Sequence, residues 1–234
     1  MRLTASPLHV LMQILGSLAV ACALISAGTT EAHASTNYEP TIAWNGYRIY
    51  LSPSSQSNAG CSSYLESTGM MNWAISAASG GYSWDPAANL RVRGYRVRVG
   101  TGTVSSRIAD SNAYGAKLHI ALHSNAPGGT YSCTSTSTSG KGTMVMYYGS
   151  NSQRLAGLIK TEVGDSSPGT SDKICTDTTC SGQSLGELRS TKAVSAYAEI
   201  EYHTWNKGVT WIRNTYYAWH LGQAVDAYLG YPRG

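Results

Sequence analysis

The chain offers thirteen carboxylates and six histidines for proton or metal chemistry, spread over 234 residues. One histidine stands out by position. His123 closes the apolar run LHIAL within LHIALHSNA, where a buried strand passes into a polar loop. In open α/β sheets that carboxyl-end exit is where ligands bind. His119 lies four residues earlier. On a strand, four residues put both imidazoles on one face but roughly 13 Å apart, at about 3.3 Å per residue. They cannot share one ion, so His119 reads as a packed or hydrogen-bonded core histidine. Two carboxylates accompany His123. Glu66 stands at the start of a helical pattern, and Glu199 ends the small-residue run AVSAYA. A near-buried glutamate is costly unless it is paired or holds a metal. A salt bridge to Arg189 is the plain alternative for Glu199. Glu201 has the same strand parity and competes with it. His203 reads as a surface turn residue, with a hydrogen bond near the site as the alternative. An imidazole with two carboxylates can ligate a divalent metal or move protons during hydrolysis.

The elements that must position these groups follow from periodicity. Strand composition covers residues 47–52 and ends at Pro53, before a polar loop through Gly60. Residues 63–79 read as a helix closed by Gly80-Gly81, and 90–99 as a bulged edge strand whose arginines form its solvated face. A helix over 103–115 precedes the central strand, 117–122. Residues 125–142 are a long Pro/Gly/Ser/Thr loop beside His123, of the kind that often binds ligands. A strand at 143–148, a helix at 150–163, a polar loop at 164–182, a short extended piece at 185–189, a strand at 193–200 and a closing helix at 209–229 complete the order. Alternation of strands and helices predicts a single α/β domain with a mostly parallel twisted sheet and helices on both faces.

The first 34 residues stand apart. Arg2 and the amino terminus precede an apolar run, 8–25, and Ala32-His33-Ala34 offers an A-x-A cleavage site. This reads as a secretory signal peptide, 1–34, leaving a domain at 35–234. An uncleaved anchor and a lipoprotein attached through Cys22 are the weaker readings. Removing Arg2 and Glu31 leaves the formal charge at +4, a mild excess that suits anionic wall polymers or plain solubility. No Lys/Arg run or nucleic-acid motif is present, so nucleic acid is set aside as a partner. No further apolar segment of transmembrane length follows, and a soluble, secreted monomer is expected. Four of the five cysteines remain: Cys61, Cys133, Cys175 and Cys180. An even number in an exported chain suggests disulfides, with three possible pairings. The short gap favours Cys175 with Cys180, leaving Cys61 with Cys133. A cysteine zinc site lacks the paired C-x-x-C spacing. Phenylalanine is absent and tyrosine abundant. Tyr131, Tyr147 and Tyr148 are candidates to stack on sugars.

Four stretches in order resemble the zinc-dependent N-acetylmuramoyl-L-alanine amidases of peptidoglycan. IYLSPSSQSN is similar to the first strand and loop of a branch whose loop reads SPS-x-Q. Glu66-x-x-x-Met70 resembles the start of the following helix, LHIALHSNA the central strand, and AEIEYHT the late strand; residues 107–112 resemble the helix before the central strand. The similar stretches span roughly 47–228. The resemblance implies cleavage of the amide between the muramic lactyl group and L-alanine, with peptidoglycan as partner and Zn²⁺ as cofactor. It places Glu66 and His123 as metal ligands and Glu199 as the catalytic carboxylate. The family's first-loop histidine is missing. Ser55 takes its place with Gln56 beside it, and an amide oxygen is a weak zinc ligand. Two rivals follow: a metal-depleted module that binds peptidoglycan or regulates another enzyme, and a carboxypeptidase acting on stem peptides.

Overall fold

A computed structural model describes residues 34–80, 89–127 and 130–231. The leader assigned to residues 1–34 lies outside them, apart from Ala34. Strands β1 (Thr36–Tyr38), β2 (Arg48–Pro53), β3 (Arg96–Val99), β4 (Leu118–Asn125), β5 (Met144–Tyr147), β6 (Lys173–Thr176) and β7 (Val194–Tyr202) form one sheet, in the order β1-β3-β2-β4-β7-β5-β6. The helices are α1 (Glu66–Ser79), α2 (Val104–Tyr114), α3 (Ser150–Gly164), α4 (Asp177–Ser181), α5 (Gly186–Arg189), α6 (Asn206–Arg213) and α7 (Trp219–Leu229). The described residues make one compact unit.

Strand alternation sorts the sheet into two unlike faces. Ile49, Leu51, Leu118, Ile120, Leu122, Ala196, Ala198 and Ile200 point to one side. They pack with Met70 and Trp73 of α1, Leu155 and Ile159 of α3, Ile212 of α6 and Leu221 and Val225 of α7. The other parity is polar at the centre: Tyr50 and Ser52 on β2, His119 and His123 on β4, Ser195 and Tyr197 on β7, all buried. Ala121, Met146, Leu188 and Tyr197 form only a small apolar cluster on that side. A polar buried face needs internal partners, and these shape the site described below.

Several expectations are corrected. The sheet is mixed rather than mostly parallel: β2–β3, β2–β4, β4–β7 and β5–β6 are parallel, while β1–β3 and β5–β7 are antiparallel. Composition does not encode strand direction, and the chain passes from β4 to β5 through the long 125–142 loop rather than a helical crossover. The run at 90–99 is a strand only from Arg96, after a turn at Gly94, and it is interior because β1 covers its outer side. The polar loop at 164–182 contains β6 and α4, and residues 185–189 form the helical turn α5. The closing helix is two helices, with a 3₁₀ turn over Thr215–Ala218 between them. Cys61–Cys133 and Cys175–Cys180 are bonded.

Candidate active site

The loop after β2 is held by the helix that follows it. The first backbone N–H groups of α1 have no intrahelical acceptor. Here Glu66 N–H donates to the Asn58 carbonyl and Ser67 N–H to the Gln56 carbonyl, each at 3.0 Å. A Ser/Asn-rich loop without apolar anchors is thereby fixed against the helix, and Glu66 sits where a negative charge meets the positive end of the macrodipole.

Glu66 is buried. Its Oε1 lies 3.0 Å from His123 Nδ1, and its Oε2 accepts from Asn58 Nδ2 at 2.7 Å. Burial alone would raise its carboxyl; hydrogen bonds from His123, Ser54 and Asn58, with the His123 charge, outweigh that and hold it below the usual range. With Glu66 ionised, His123 donates from Nδ1, leaving Nε2 as the other working atom. The His123 ring stacks on Tyr197, with centroids 4.2 Å apart, and its Nε2 is buried without a partner.

Glu199 is the register partner of His123 across β4 and β7, so both side chains leave the same face. Its Oε2 is buried and unpaired. Burial pushes its carboxyl up to about 7; the His123 charge opposes the shift and the Glu66 charge adds to it. The alternative partner is engaged elsewhere, since Arg189 Nε donates to Asp177 Oδ2 at 2.7 Å. Two carboxylates beside one imidazole are thus driven in opposite directions, the pattern that separates acid from base roles.

Glu201 leaves this group. The β4–β7 register shifts between His123 and Asn125, which pairs with Tyr202. Glu201 accepts from the N–H groups of Gly142, Gly169 and Tyr202 and from Ser167 Oγ, tying two loops to the end of β7. Burial raises its carboxyl, and those bonds oppose the rise. His203, read as a surface turn residue, is instead buried. Its Nδ1 pairs with Ser124 Oγ at 2.9 Å, Ser124 Oγ pairs with Tyr64 OH at 3.0 Å, and Tyr64 stacks on the imidazole. His119 Nε2 lies 3.3 Å from Glu187 Oε1, in a buried group with Ser52 and Arg107.

The remaining candidates lie outside the cluster. Gln56 is exposed and its Oε1 accepts from Asn58 Nδ2 at 2.8 Å; Ser55 is exposed beside it. Three contributors escaped the sequence reading: Ser54, Asn58 and Tyr197. Tyr197 was accessible to it, being two residues before Glu199 on the same strand face. A loop amide such as Asn58 leaves no periodic signal.

Catalytic zinc takes three protein ligands. Glu66 and His123 converge, but no group of three His, Cys, Asp or Glu is arranged to hold a metal among the described residues. The loop group that meets Glu66 is the Asn58 amide, which donates an N–H to Oε2 rather than offering a lone pair. The residues present do not complete a zinc centre.

Comparison with known proteins bears on the fold. No family model and no curated protein matches the sequence. Among solved structures, the chain is similar to the N-acetylmuramoyl-L-alanine amidase AmiC2 of Nostoc punctiforme, with a TM-score of 0.64 at 13% identity, covering 80% of this chain and 99% of that one. The catalytic domain of the amidase CwlV from Paenibacillus polymyxa gives 0.60 at 16%, covering 80% and 99%. The amidase Ami1 of Mycobacterium smegmatis gives 0.60 at 14%, covering 81% and 99%. The shared fold spans nearly the whole of each of these chains.

Proposed function

We propose that this protein is a secreted peptidoglycan hydrolase that cleaves the amide between the muramic lactyl group and L-alanine of the stem peptide. One observation carries the reading. His123 Nε2 and Glu199 Oε2 are both buried and both without partners among the described residues, on register partners toward the carboxyl ends of two central strands. Unpaired buried polar atoms are rare in native structures, and two side by side mark a place for water and a polar substrate. The shared fold with the amidases directs the choice of bond. The two disulfides suit an oxidising compartment, and among the described residues no helix is long and apolar enough to cross a membrane.

The proton chemistry follows from the three side chains. Glu66 accepts the Nδ1 proton of His123 and fixes the ring, so the Nε2 lone pair can hold a water by one O–H. Glu199, ionised at and above about pH 7, takes a proton from that water as it attacks the carbonyl. The same carboxyl then gives the proton to the departing amine of L-alanine. A monomer suffices, since all three groups come from one chain.

The test is digestion of purified sacculi. Stem peptides with new L-alanine amino termini, absent with Glu199→Gln, are the expected products. Cleavage within the stem peptide would instead indicate a carboxypeptidase. The incomplete set of metal ligands among the described residues favours one second reading, a module that holds peptidoglycan without cutting it. That reading is chosen if the protein sediments with sacculi and releases nothing.

A further inference from the structure

A second cleft lies just past the site, along the same two strands. It measures about 280 Å³ and is lined by Thr130, Tyr131, Ser132, Ser135, Lys141 and Tyr202, among others. Tyr202 ends β7 three residues after Glu199, and its register partner Asn125 lies two residues after His123. The cleft therefore lies at the carboxyl end of β7, a few residues along the strand from Glu199, on the side of the 125–142 loop.

That loop is short of apolar residues, yet it is built firmly. Cys133 is bonded to Cys61. Asn206 N–H donates to the Cys133 carbonyl at 3.0 Å, and Trp205 Nε1 to the Ser135 carbonyl at 2.7 Å. The Lys141 ammonium lies 4.9 Å from the Trp205 ring centre and donates to the Ser137 carbonyl. Of the three tyrosines that could face a sugar, only Tyr131 lines this cleft, and it is 44% exposed. Tyr147 packs against the core, and Tyr148 lies under the Arg189 guanidinium.

We infer that this cleft is a saccharide subsite that holds the glycan strand while the stem amide lies between His123 and Glu199. This rests on the reading under Proposed function. A sugar ring offers an apolar C–H face for an aromatic ring and a rim of hydroxyls that both donate and accept. The cleft answers with two tyrosines and a set of Ser/Thr hydroxyls that do the same. No carboxylate lines it, and one cation does. A groove for a basic ligand would be lined the other way.

The probe is the uncharged tetramer of β-1,4-linked N-acetylglucosamine, titrated into the full protein by calorimetry and by NMR. Saturable binding is expected, with shifts centred on residues 130–141 and Tyr202. Tyr131→Ala should weaken binding at least fivefold, while Tyr148→Ala, an equally exposed tyrosine outside the cleft, should leave it within twofold. On sacculi, Tyr131→Ala should raise KM several-fold with kcat within twofold. No binding of the tetramer, or equal loss in both variants, overturns the subsite. Loss of sacculus binding in Lys141→Met with tetramer binding intact would make the cleft a peptide-carboxylate site and also overturn it. Tetramer binding at the cleft without release of stem peptides would leave the subsite standing and remove the hydrolase reading.

Discussion

His123 and Glu199 are register partners on parallel neighbouring strands, and each carries one buried polar atom without a hydrogen-bond partner among the described residues. The pairing is direct, so the β4–β7 ladder sets the spacing of the two backbones, while Glu66 and the loop residue Asn58 orient the imidazole.

Glu199→Gln is expected to reduce hydrolysis about 10²–10⁴-fold, the range for loss of a general base. The same variant should be more stable than the parent at high pH. The folded carboxyl sits near 7, against 4.5 when unfolded, so folding favours its protonated form. That contribution is full below about pH 4.5 and is lost as pH rises through 7. Melting curves should coincide near pH 4 and separate by no more than about 3 kcal/mol at pH 8. Parent activity should rise with pH through about 7. A flat profile, or a less stable variant at pH 8, would count against Glu199 as a buried base.

Asn58 joins the first loop to Glu66 through one amide. Asn58→Leu should release Glu66 and lower kcat roughly tenfold, with a stability loss of about 1–2 kcal/mol from the charge-assisted hydrogen bond. Normal kcat in this variant would mean that the loop does not hold the carboxylate.

Glu187 gathers Ser52, His119 and Arg107 in a buried group one layer below the site. Burial would raise its carboxyl, and His119, Arg107 and Ser52 together lower it. Glu187→Ala leaves the buried Arg107 without its counter-charge and should cost about 3–5 kcal/mol in denaturant titration. A loss under 1 kcal/mol would show that the guanidinium finds water instead.

The two disulfides should differ in weight. Cys61–Cys133 closes a separation of 72 residues and Cys175–Cys180 one of 5. On loop-closure entropy their double-serine replacements should cost about 4 and about 2 kcal/mol. The first should also weaken tetramer binding, because it anchors the 125–142 loop.

Zinc should bind weakly. With Glu66 and His123 as the converging ligands, the protein should retain well under one equivalent after dialysis against a chelator, measured by elemental analysis. Ser55→His, which restores an imidazole to the first loop, should retain more. One tightly held zinc in the parent, lost in both Glu66→Ala and His123→Ala, would show that a third ligand is recruited from elsewhere.

The order of strands and helices from β2 to α3 was legible in the sequence, because periodicity is local and each element carries its own; the three-residue β1 is too short to carry one. The burial of the strand that carries His123 was legible for the same reason, but β4 runs on through Asn125, past the expected exit at His123, and α1 begins at Glu66 rather than at residue 63. The direction of β5, the fate of Glu201 and the burial of His203 were not. A one-step register shift between β4 and β7 separates Glu201 from Glu199, although strand parity makes them equivalent. His203 is buried by Tyr64 and Ser124, 139 and 79 residues away in the chain. Asn58 matters only because the helix beginning at Glu66 docks on its own preceding loop. Local pattern determines which residues alternate and where elements end. Which polar groups meet at the strand ends is decided by long-range pairing, and only the tertiary structure contains it.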